Sequence, residues 1–140
     1  MSGFLLDTNV ISELVRPRPE PKVKAWVAAT DEDLLYLSVL TLGEIRKGIA
    51  ALKDASRRVR LEAWLEGDLV VRFAERILAI DRAVADRWGR LGAQAGSKSP
   101  LPVIDGLLAA TALHHNLTLV TRNTEDVAET GVPIFNPWVA

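Results

Sequence analysis

The stretch FLLDTNVISE, residues 4–13, contains the pattern from which the fold can be inferred. Its first three residues, Phe4-Leu5-Leu6, form an apolar run that stops at Asp7, as expected of a short buried strand. The junction Asp7-Thr8-Asn9 then offers an aspartate oxygen that can cap the first free amide groups of a helix. The stretch therefore predicts a strand that leads directly into a helix.

Short apolar runs of the same kind recur along the chain, with longer helical patterns between them. Strands that are separated by helices pair in parallel and are joined by crossover connections. We therefore expect an α/β fold, a three-layer α/β/α sandwich around a parallel sheet of about five strands. The predicted strands are Phe4–Leu6, Leu34–Leu37, Leu78–Ile80, Leu117–Val120 and Val132–Phe135.

Apolar residues at helical spacing mark the helices between these strands. Arg16–Pro21 contains three prolines and cannot continue a helix, but a new helix can begin there. Leu69–Val71 is a further candidate strand, and Gly96–Pro102 is expected to be a loop. The helical stripes are Val23, Trp26 and Val27; Leu42, Ile45, Ile49 and Leu52; and Val84, Trp88, Leu91 and Ala95.

The composition limits the class of protein. The 140 residues, 49% hydrophobic and 25% charged, are typical of one globular domain, here residues 1–140. The chain has no cysteine, which excludes cysteine-ligated zinc, iron–sulfur clusters and thiol catalysis. No apolar run approaches the roughly 20 residues of a membrane span, and no secretory signal pattern opens the chain. We therefore expect a cytoplasmic protein without membrane contact.

Polar residues follow the predicted strands, where an open parallel sheet binds its ligands. Asp7, Glu44 and Asp105 lie at or near three of these junctions, and Asn123 follows the fourth predicted strand. Each acid has a structural explanation. Asp7 can cap a helix, Thr41-x-x-Glu44 matches a capping box, and Asp105 suits the first turn of a helix.

Three carboxylates in one crevice would require a different explanation. Two unit charges about 4 Å apart repel by about 1 kcal/mol in water and about 4 kcal/mol at an effective dielectric of 20. A helix cap contributes only about 1 kcal/mol, so a cation would have to accompany Asp7, Glu44 and Asp105 if they converge. Oxygen ligands without histidine or cysteine favour Mg²⁺ or Mn²⁺. Glu44 lies roughly 120° from the centre of the apolar stripe of its helix and is free to face the crevice.

Four segments of the chain resemble the PIN-domain nucleases of the VapC type. They lie in the family's order and at family-like spacing, and the resemblance runs from end to end of the chain. The closing Phe135-Asn136-Pro137-Trp138 resembles the FitB branch of that group more narrowly. The four segments are FLLDTNVISE (residues 4–13), LSVLTLGEI (37–45), VIDGLLAATA (103–112) and LVTRN (119–123).

The resemblance implies a PIN-like fold and a metal-dependent endoribonuclease, usually the toxin of a toxin–antitoxin pair. It makes Asp7, Glu44 and Asp105 the ligands of Mg²⁺ or Mn²⁺ and, together with Asn123, the catalytic residues. It also implies a homodimer and a small antitoxin that wraps the toxin with an amphipathic segment, so that DNA is bound only through the antitoxin. Because guanidinium groups pair well with carboxylates, we expect the antitoxin to insert Arg or Lys among the acids.

One position departs from the family pattern. Many members carry Asp where this chain has Asn123, so the fourth ligand is neutral, which weakens the case for a second metal ion. Asn can still offer an oxygen or orient a metal-bound water. Asn123-x-x-Asp126 has the spacing of a helix cap, and Glu125 and Asp126 are interpreted as surface acids or caps. The residues expected to support the acids, from their positions beside them, are Thr8, Asn9, Ser38 and Thr121.

The net charge of −1 gives no global sign of a nucleic-acid partner, so RNA would have to meet a local basic patch. From Glu44 to Glu62 the chain carries six basic and three acidic residues. A solvated helix face is the alternative explanation of this excess. The candidate RNA contacts in the stretch are Arg46, Lys47, Arg57 and Arg58.

Two other functions are compatible with an acid after the first strand. A phosphatase of the haloacid dehalogenase type needs a second acid two residues later, where this chain has Asn9. A non-catalytic binding module would keep the acidic crevice for a basic peptide or an ion. Neither G-x-G-x-x-G after the first strand nor G-x-x-x-x-G-K-[ST] is present, which excludes dinucleotide and P-loop chemistry.

Overall fold

The structure, a computed structural model, describes residues 2–95 and 100–140. Residues 96–99 of the predicted loop Gly96–Pro102 lie outside these ranges. The elements are β1 (Phe4–Leu6), α1 (Thr8–Leu14), α2 (Pro21–Ala29), β2 (Leu35–Ser38), α3 (Val39–Ala50), α4 (Ala55–Ala63), a π-helical segment (Trp64–Leu69), α5 (Val70–Phe73), β3 (Ile77–Leu78), α6 (Arg82–Ala95), α7 (Val103–His114), β4 (Thr118–Val120), α8 (Thr124–Val127) and β5 (Ile134–Phe135).

The strands form one parallel sheet in the order β3-β2-β1-β4-β5. Strand β1 pairs with β2 on one side, where Phe4 lies opposite Leu35, and with β4 on the other, where Leu5 lies opposite Leu119. Strands β2 and β3 therefore extend the sheet on one side of β1, and β4 and β5 extend it on the other side. Ligands of open α/β sheets bind beyond the carboxyl ends of the strands at such a reversal of strand order.

Helices cover both faces of this sheet. In β1, Leu5 packs in a cluster with α6 and α7, whereas Leu6 packs in a cluster with α1, α2, α3 and α5. Successive side chains of a strand point to opposite faces, so the two clusters are separate layers of core. The predicted three-layer α/β/α sandwich is confirmed. No helix in the described ranges is long and apolar enough to cross a membrane.

Helix α7 packs closely against its neighbours at its first turn. A Cβ atom at Gly106 would lie 2.8 Å from Cδ2 of Leu101 and 3.0 Å from Cδ1 of Trp88. Both distances are shorter than the roughly 3.5–4.0 Å at which carbon atoms pack. A side chain at this position would therefore displace Leu101 or Trp88, which pack against the turn of α7 that carries Asp105.

The apolar run Leu69–Val71 is not a strand, and that prediction is wrong. Leu69 ends the π-helical segment and Val70 begins α5. The buried residues of this region, Leu69 and Phe73, lie four positions apart, which is the spacing of one helix face. The third strand is Ile77–Leu78 rather than Leu78–Ile80.

The capping box that could explain Thr41-x-x-Glu44 does not form. Helix α3 begins earlier, at Val39, and the Ser38 hydroxyl caps it by accepting a hydrogen bond from the Leu40 N–H at 3.0 Å. Glu44 therefore lies within the helix and has no part in its start.

Candidate active site

The predicted acids line one cleft of about 610 Å³. Asp7 follows β1, Glu44 lies on α3, Asp105 lies in the first turn of α7, and Asn123 directly precedes α8. The structure thus brings together four residues that are distant in sequence. The cleft is lined by Asp7, Thr8, Asn9, Ser12, Glu44, Pro102, Val103, Ile104, Asp105 and Asn123.

Asp7 is buried, with 6% of its surface exposed, and both of its carboxylate oxygens accept hydrogen bonds. Oδ1 accepts from the Thr8 N–H at 2.6 Å, so Asp7 does cap α1, and Oδ2 accepts from the Thr121 hydroxyl at 2.7 Å. Burial raises the pKa of Asp7, the two hydrogen bonds oppose that rise, and the negative charge of Glu44 adds to it. A cation bound near this carboxylate would favour its charged form and so lower its pKa.

Thr121 connects three of the predicted site residues. Its hydroxyl donates to Asp7 and accepts hydrogen bonds from the Asn123 N–H at 3.0 Å and from the Asn9 side-chain amide at 3.3 Å. Thr121 is 1% exposed, so solvent competes little for these bonds. This hydroxyl therefore fixes the backbone of Asn123 relative to Asp7.

Asn9 directs its amide nitrogen toward Asp7 and Thr121. Its carbonyl oxygen Oδ1 is buried and has no hydrogen-bond partner among the described residues. An unpaired buried acceptor costs roughly 1–3 kcal/mol, so Oδ1 is suited to a hydrogen bond from a ligand or water. The amide cannot serve as the second acid that a haloacid dehalogenase-type phosphatase needs at this position.

Glu44 is exposed on α3, and its Oε1 accepts a hydrogen bond from the Thr8 hydroxyl at 2.5 Å. The Thr41 hydroxyl oxygen lies 3.3 Å from that of Thr8. These contacts join α3 to the N-terminus of α1. Glu44 therefore faces the cleft, as its angle on the helix predicts.

Asp105 and Asp126 lie together, although the sequence interpretation treats Asp126 as a surface acid or cap. The pKa of Asp105 is raised to about 6, first by burial and then by the negative charges of Asp7, Asp126 and Glu44; a hydrogen bond with Asp126 adds to the rise. The side chain of Asn123 makes no cap bond to α8. No spacing within one segment signals this contact, because Asp105 and Asp126 lie on different helices, α7 and α8.

The donors of the cleft suit a hard cation. Its acids and amides offer only oxygen ligands, which Mg²⁺ and Mn²⁺ prefer. Within residues 2–95 and 100–140, no three His, Asp or Glu side chains lie close enough to enclose a metal ion by themselves. Water or substrate oxygens would therefore have to complete the coordination of an ion held here.

The predicted supporting residues divide into two groups. Thr8 and Thr121 donate hydrogen bonds to the acids at 2.7 Å or less, and Asn9 lies 3.4 Å from Asp7. Ser38 is buried and caps α3, and its hydroxyl makes no hydrogen bond to the acids among the described residues. Its effect on the site is limited to the helix that carries Glu44.

The predicted RNA contacts differ in their surroundings. Arg46 forms ion pairs with two glutamates, at 2.7 and 3.8 Å, and Arg58 donates to a backbone carbonyl at 2.9 Å. The side chains of Arg57 and Lys47 are exposed, with no ion pair or hydrogen bond to the described residues. Arg57 and Lys47 are therefore the two whose charges are available to a ligand.

A groove of about 770 Å³ adjoins the cleft, and we call it the adjoining groove. Thr8, Ser12 and Glu44 line both cavities, so the two are continuous. The sequence interpretation did not single out Ser12 or Arg16, and it counted Arg60 in the basic stretch without proposing it as an RNA contact. The groove combines these with Arg57 and apolar side chains, namely Val15, Ile45, Ile49, Leu52, Leu61 and Trp64.

Comparison with known proteins identifies the family. The model of the PIN domain matches residues 4–131, which is most of the chain. The chain belongs to the PIN domain family. Toxin FitB of Neisseria gonorrhoeae is 39% identical to this PIN-domain chain, with 96% of this chain and 98% of that protein covered. VapC ribonuclease Y4jK of Sinorhizobium fredii is 38% identical, with 96% and 97% covered.

A solved structure agrees with this assignment. The crystal structure of FitAcB from Neisseria gonorrhoeae matches with a TM-score of 0.94 and 38% identity, over 98% of this chain and 99% of that chain. The resemblance to PIN-domain proteins of the VapC type and the FitB branch is confirmed, as is the PIN-like fold.

Proposed function

We propose that this PIN-domain chain is an endoribonuclease that hydrolyses RNA phosphodiester bonds with a divalent metal ion. The observation that carries the proposal is the single cleft that gathers Asp7, Glu44, Asp105 and Asn123 from four segments. The relatives named Toxin FitB and VapC ribonuclease Y4jK support the same activity and a role as the toxin of a toxin–antitoxin pair. We place this activity in the cytoplasm, where the RNA substrate would be found.

Asp7, Glu44 and Asp105 would hold Mg²⁺ or Mn²⁺, with Asn123 as a neutral oxygen donor. When bound, such an ion lowers the pKa of a water molecule and offsets charge on the scissile phosphate. The Thr8 N–H and the Thr121 hydroxyl keep both oxygens of Asp7 in fixed positions.

Asn9 supplies one more hydrogen-bond acceptor in the cleft. Its Oδ1 is buried and unpaired among the described residues, and the residue lines the cleft. A water molecule that donates a hydrogen bond to Oδ1 would be oriented beside the acids, which is the positioning that hydrolysis requires. We therefore assign Asn9 to the orientation of water in the cleft.

The charge of the cleft makes a cation necessary for RNA to approach. Burial raises the pKa of Asp105 most, and the negative charges of Asp7, Asp126 and Glu44 add to the rise; the same charges would repel a phosphate. Arg57 and Lys47 remain our candidates for attracting the RNA backbone, because Arg46 and Arg58 are engaged by protein groups.

The same cleft suits an inhibitory partner. We infer that an antitoxin lays an amphipathic segment along the adjoining groove, whose lining is apolar and basic. Because that groove shares Thr8, Ser12 and Glu44 with the cleft, a basic side chain of the segment can reach the acids. Inhibition should then weaken as Mg²⁺ rises, since the cation and the side chain compete.

The proposal is tested by incubating purified, partner-free protein with total RNA in Mg²⁺, in Mn²⁺ and in EDTA. We expect fragments with 5′-phosphate and 3′-hydroxyl ends in either metal and intact RNA in EDTA. Sequencing of the fragment ends would identify the substrate. Intact RNA in every condition would count against an endoribonuclease and favour a non-catalytic binding module.

A further inference from the structure

The C-terminal segment lies against the loop that carries part of the cleft. The Thr121 N–H donates to the Phe135 carbonyl oxygen at 3.1 Å, which continues the pairing of β4 with β5. Beyond β5, the Trp138 N–H donates to Oδ1 of Asn136 at 2.9 Å, which turns the segment back. Trp138 thereby lies half-buried near the end of β4.

Trp138 lies beside a buried acid that the proposed chemistry does not use. Glu13, on α1, is 5% exposed, and its carboxylate accepts hydrogen bonds from the Glu20 N–H at 2.9 Å and from Arg16 at 3.2 Å. Trp138 lies beside these groups, since Glu13, Arg16 and Trp138 line one pocket. Because a buried carboxylate is costly unless it is hydrogen-bonded, these two bonds fix Glu13 and, with it, one wall of the pocket that Trp138 lines.

The ring of Trp138 in turn contacts Arg122. The guanidinium carbon of Arg122 lies 5.4 Å from the ring centroid, within the range of a cation–π interaction. Arg122 lies in the sequence between Thr121 and Asn123, two residues at this edge of the cleft. Thr121 before it bonds Asp7, and Asn123 after it donates its N–H to Thr121.

We propose that Trp138 and Arg122 are positioning residues for the segment Thr121–Asn123. Their contact holds the segment on its solvent side, whereas the hydrogen bond of Thr121 to Asp7 holds it on its buried side. We call the Arg122–Trp138 interaction the C-terminal contact. Without it, Asn123 and the start of α8 would open locally more often, because local stability depends on such contacts. The effect on catalysis rests on the proposed metal site, whereas the effect on the loop does not.

The test compares Arg122→Met, which removes the cation from an exposed side chain, with Arg122→Lys, which keeps a cation. Arg90→Met is the matched control, since Arg90 is exposed on α6 and pairs with Asp86 at 2.8 Å. Hydrogen exchange at the Asn123 amide should accelerate roughly two- to fivefold in Arg122→Met, the factor that an exposed cation–π contact represents. Arg122→Lys and Arg90→Met should exchange at close to the wild-type rate.

Calorimetric titration of the metal-free proteins with Mn²⁺, without RNA, gives the second readout. We expect Mn²⁺ binding to weaken by up to about fivefold in Arg122→Met, because fewer molecules hold the cleft in its binding form. Trp138→Leu should do the same, and Trp138→Phe, which keeps a ring over Arg122, should lose less. If Arg122 instead contacts RNA, Arg122→Met should raise the KM for RNA and leave both hydrogen exchange and Mn²⁺ binding unchanged.

Wild-type exchange at Asn123 in both Arg122→Met and Trp138→Leu would overturn the proposal. If wild-type protein binds no Mn²⁺ and cuts no RNA while exchange still accelerates in the variants, the proposed function fails and the positioning role stands. If Trp138→Leu does not fold, Arg122→Met decides the matter, since an exposed substitution leaves the core intact.

Discussion

The Thr121 hydroxyl donates a hydrogen bond to Oδ2 of Asp7 at 2.7 Å, across 114 residues of sequence. The bond joins the ends of β1 and β4, the neighbouring strands between which the strand order reverses. Both residues are buried, and a hydrogen bond in such surroundings is stronger than one in water. One hydroxyl therefore orients an acid of the proposed metal site and, through the Asn123 N–H, its neutral neighbour.

Removing this hydroxyl should lower stability. Thr121→Val keeps the branched shape but leaves Oδ2 of Asp7 and the Asn123 N–H each short of a partner, at a cost of roughly 1–3 kcal/mol. Thr121→Ser retains the hydroxyl and is the control. The measurement is urea unfolding in EDTA. A Val variant as stable as the Ser variant would show that the bond contributes nothing.

The stability of the metal-free protein should depend on pH through Asp105. Its pKa in the folded state is about 6, above the value of about 3.9 for an unfolded aspartate. The folded state therefore holds the proton more tightly, and the free energy of unfolding falls as pH rises from about 4 to about 6. Asp105→Asn removes this dependence. In EDTA its Tm should exceed that of the wild type at pH 7 and match it near pH 4, and an equal difference at both pH values would contradict the assignment.

Glu44→Gln should separate metal binding from stability. Ser38 caps α3, and a glutamine oxygen can still accept the Thr8 hydrogen bond, so stability should change by about 0.5 kcal/mol or less. Mn²⁺ affinity should fall, because a charged ligand is lost. Calorimetry on this variant and on Glu129→Gln, an exposed acid outside the cleft, provides the comparison. Equal affinity in the two variants would remove Glu44 from the ligand set.

Asn123→Asp should strengthen metal binding. A fourth carboxylate attracts a divalent ion, so we expect tighter Mn²⁺ binding or a second bound ion in calorimetry. The added repulsion within the cleft should also lower the Tm in EDTA. Unchanged affinity and stoichiometry would mean that the side chain of Asn123 does not reach the metal.

The sheet and the edge that carries the acids could be predicted because parallel strands end on the same side. That rule brings Asp7 and Asn123 together from their place after strands alone. The run Leu69–Val71 could not be assigned in the same way, since three consecutive apolar residues fit either a strand or a buried helical turn. Its identity depends on Phe73, which packs one turn later.

Side-chain contacts between distant segments were harder to infer. Asp126 lies near Asp105 only because α8 and α7 meet in the folded chain. The spacing of residues within one segment cannot predict such a contact. Thr41-x-x-Glu44 satisfies the capping rule as well as Ser38 does, and the real start of α3 decides between them. The closing Phe135-Asn136-Pro137-Trp138 does not indicate the neighbours of Trp138, because its position beside Glu13 and Arg122 comes from the folded chain.

The most direct measurement is RNA cleavage by wild-type protein and by Asp105→Asn, side by side and free of partner, after thermal unfolding has shown that both are folded. The account predicts that the wild type cuts total RNA in Mn²⁺ or Mg²⁺ and not in EDTA. The variant, which loses one acid at nearly constant shape, should leave the RNA intact in every condition. Cleavage by the folded variant at the wild-type rate, or cleavage by the wild type in EDTA, would contradict it.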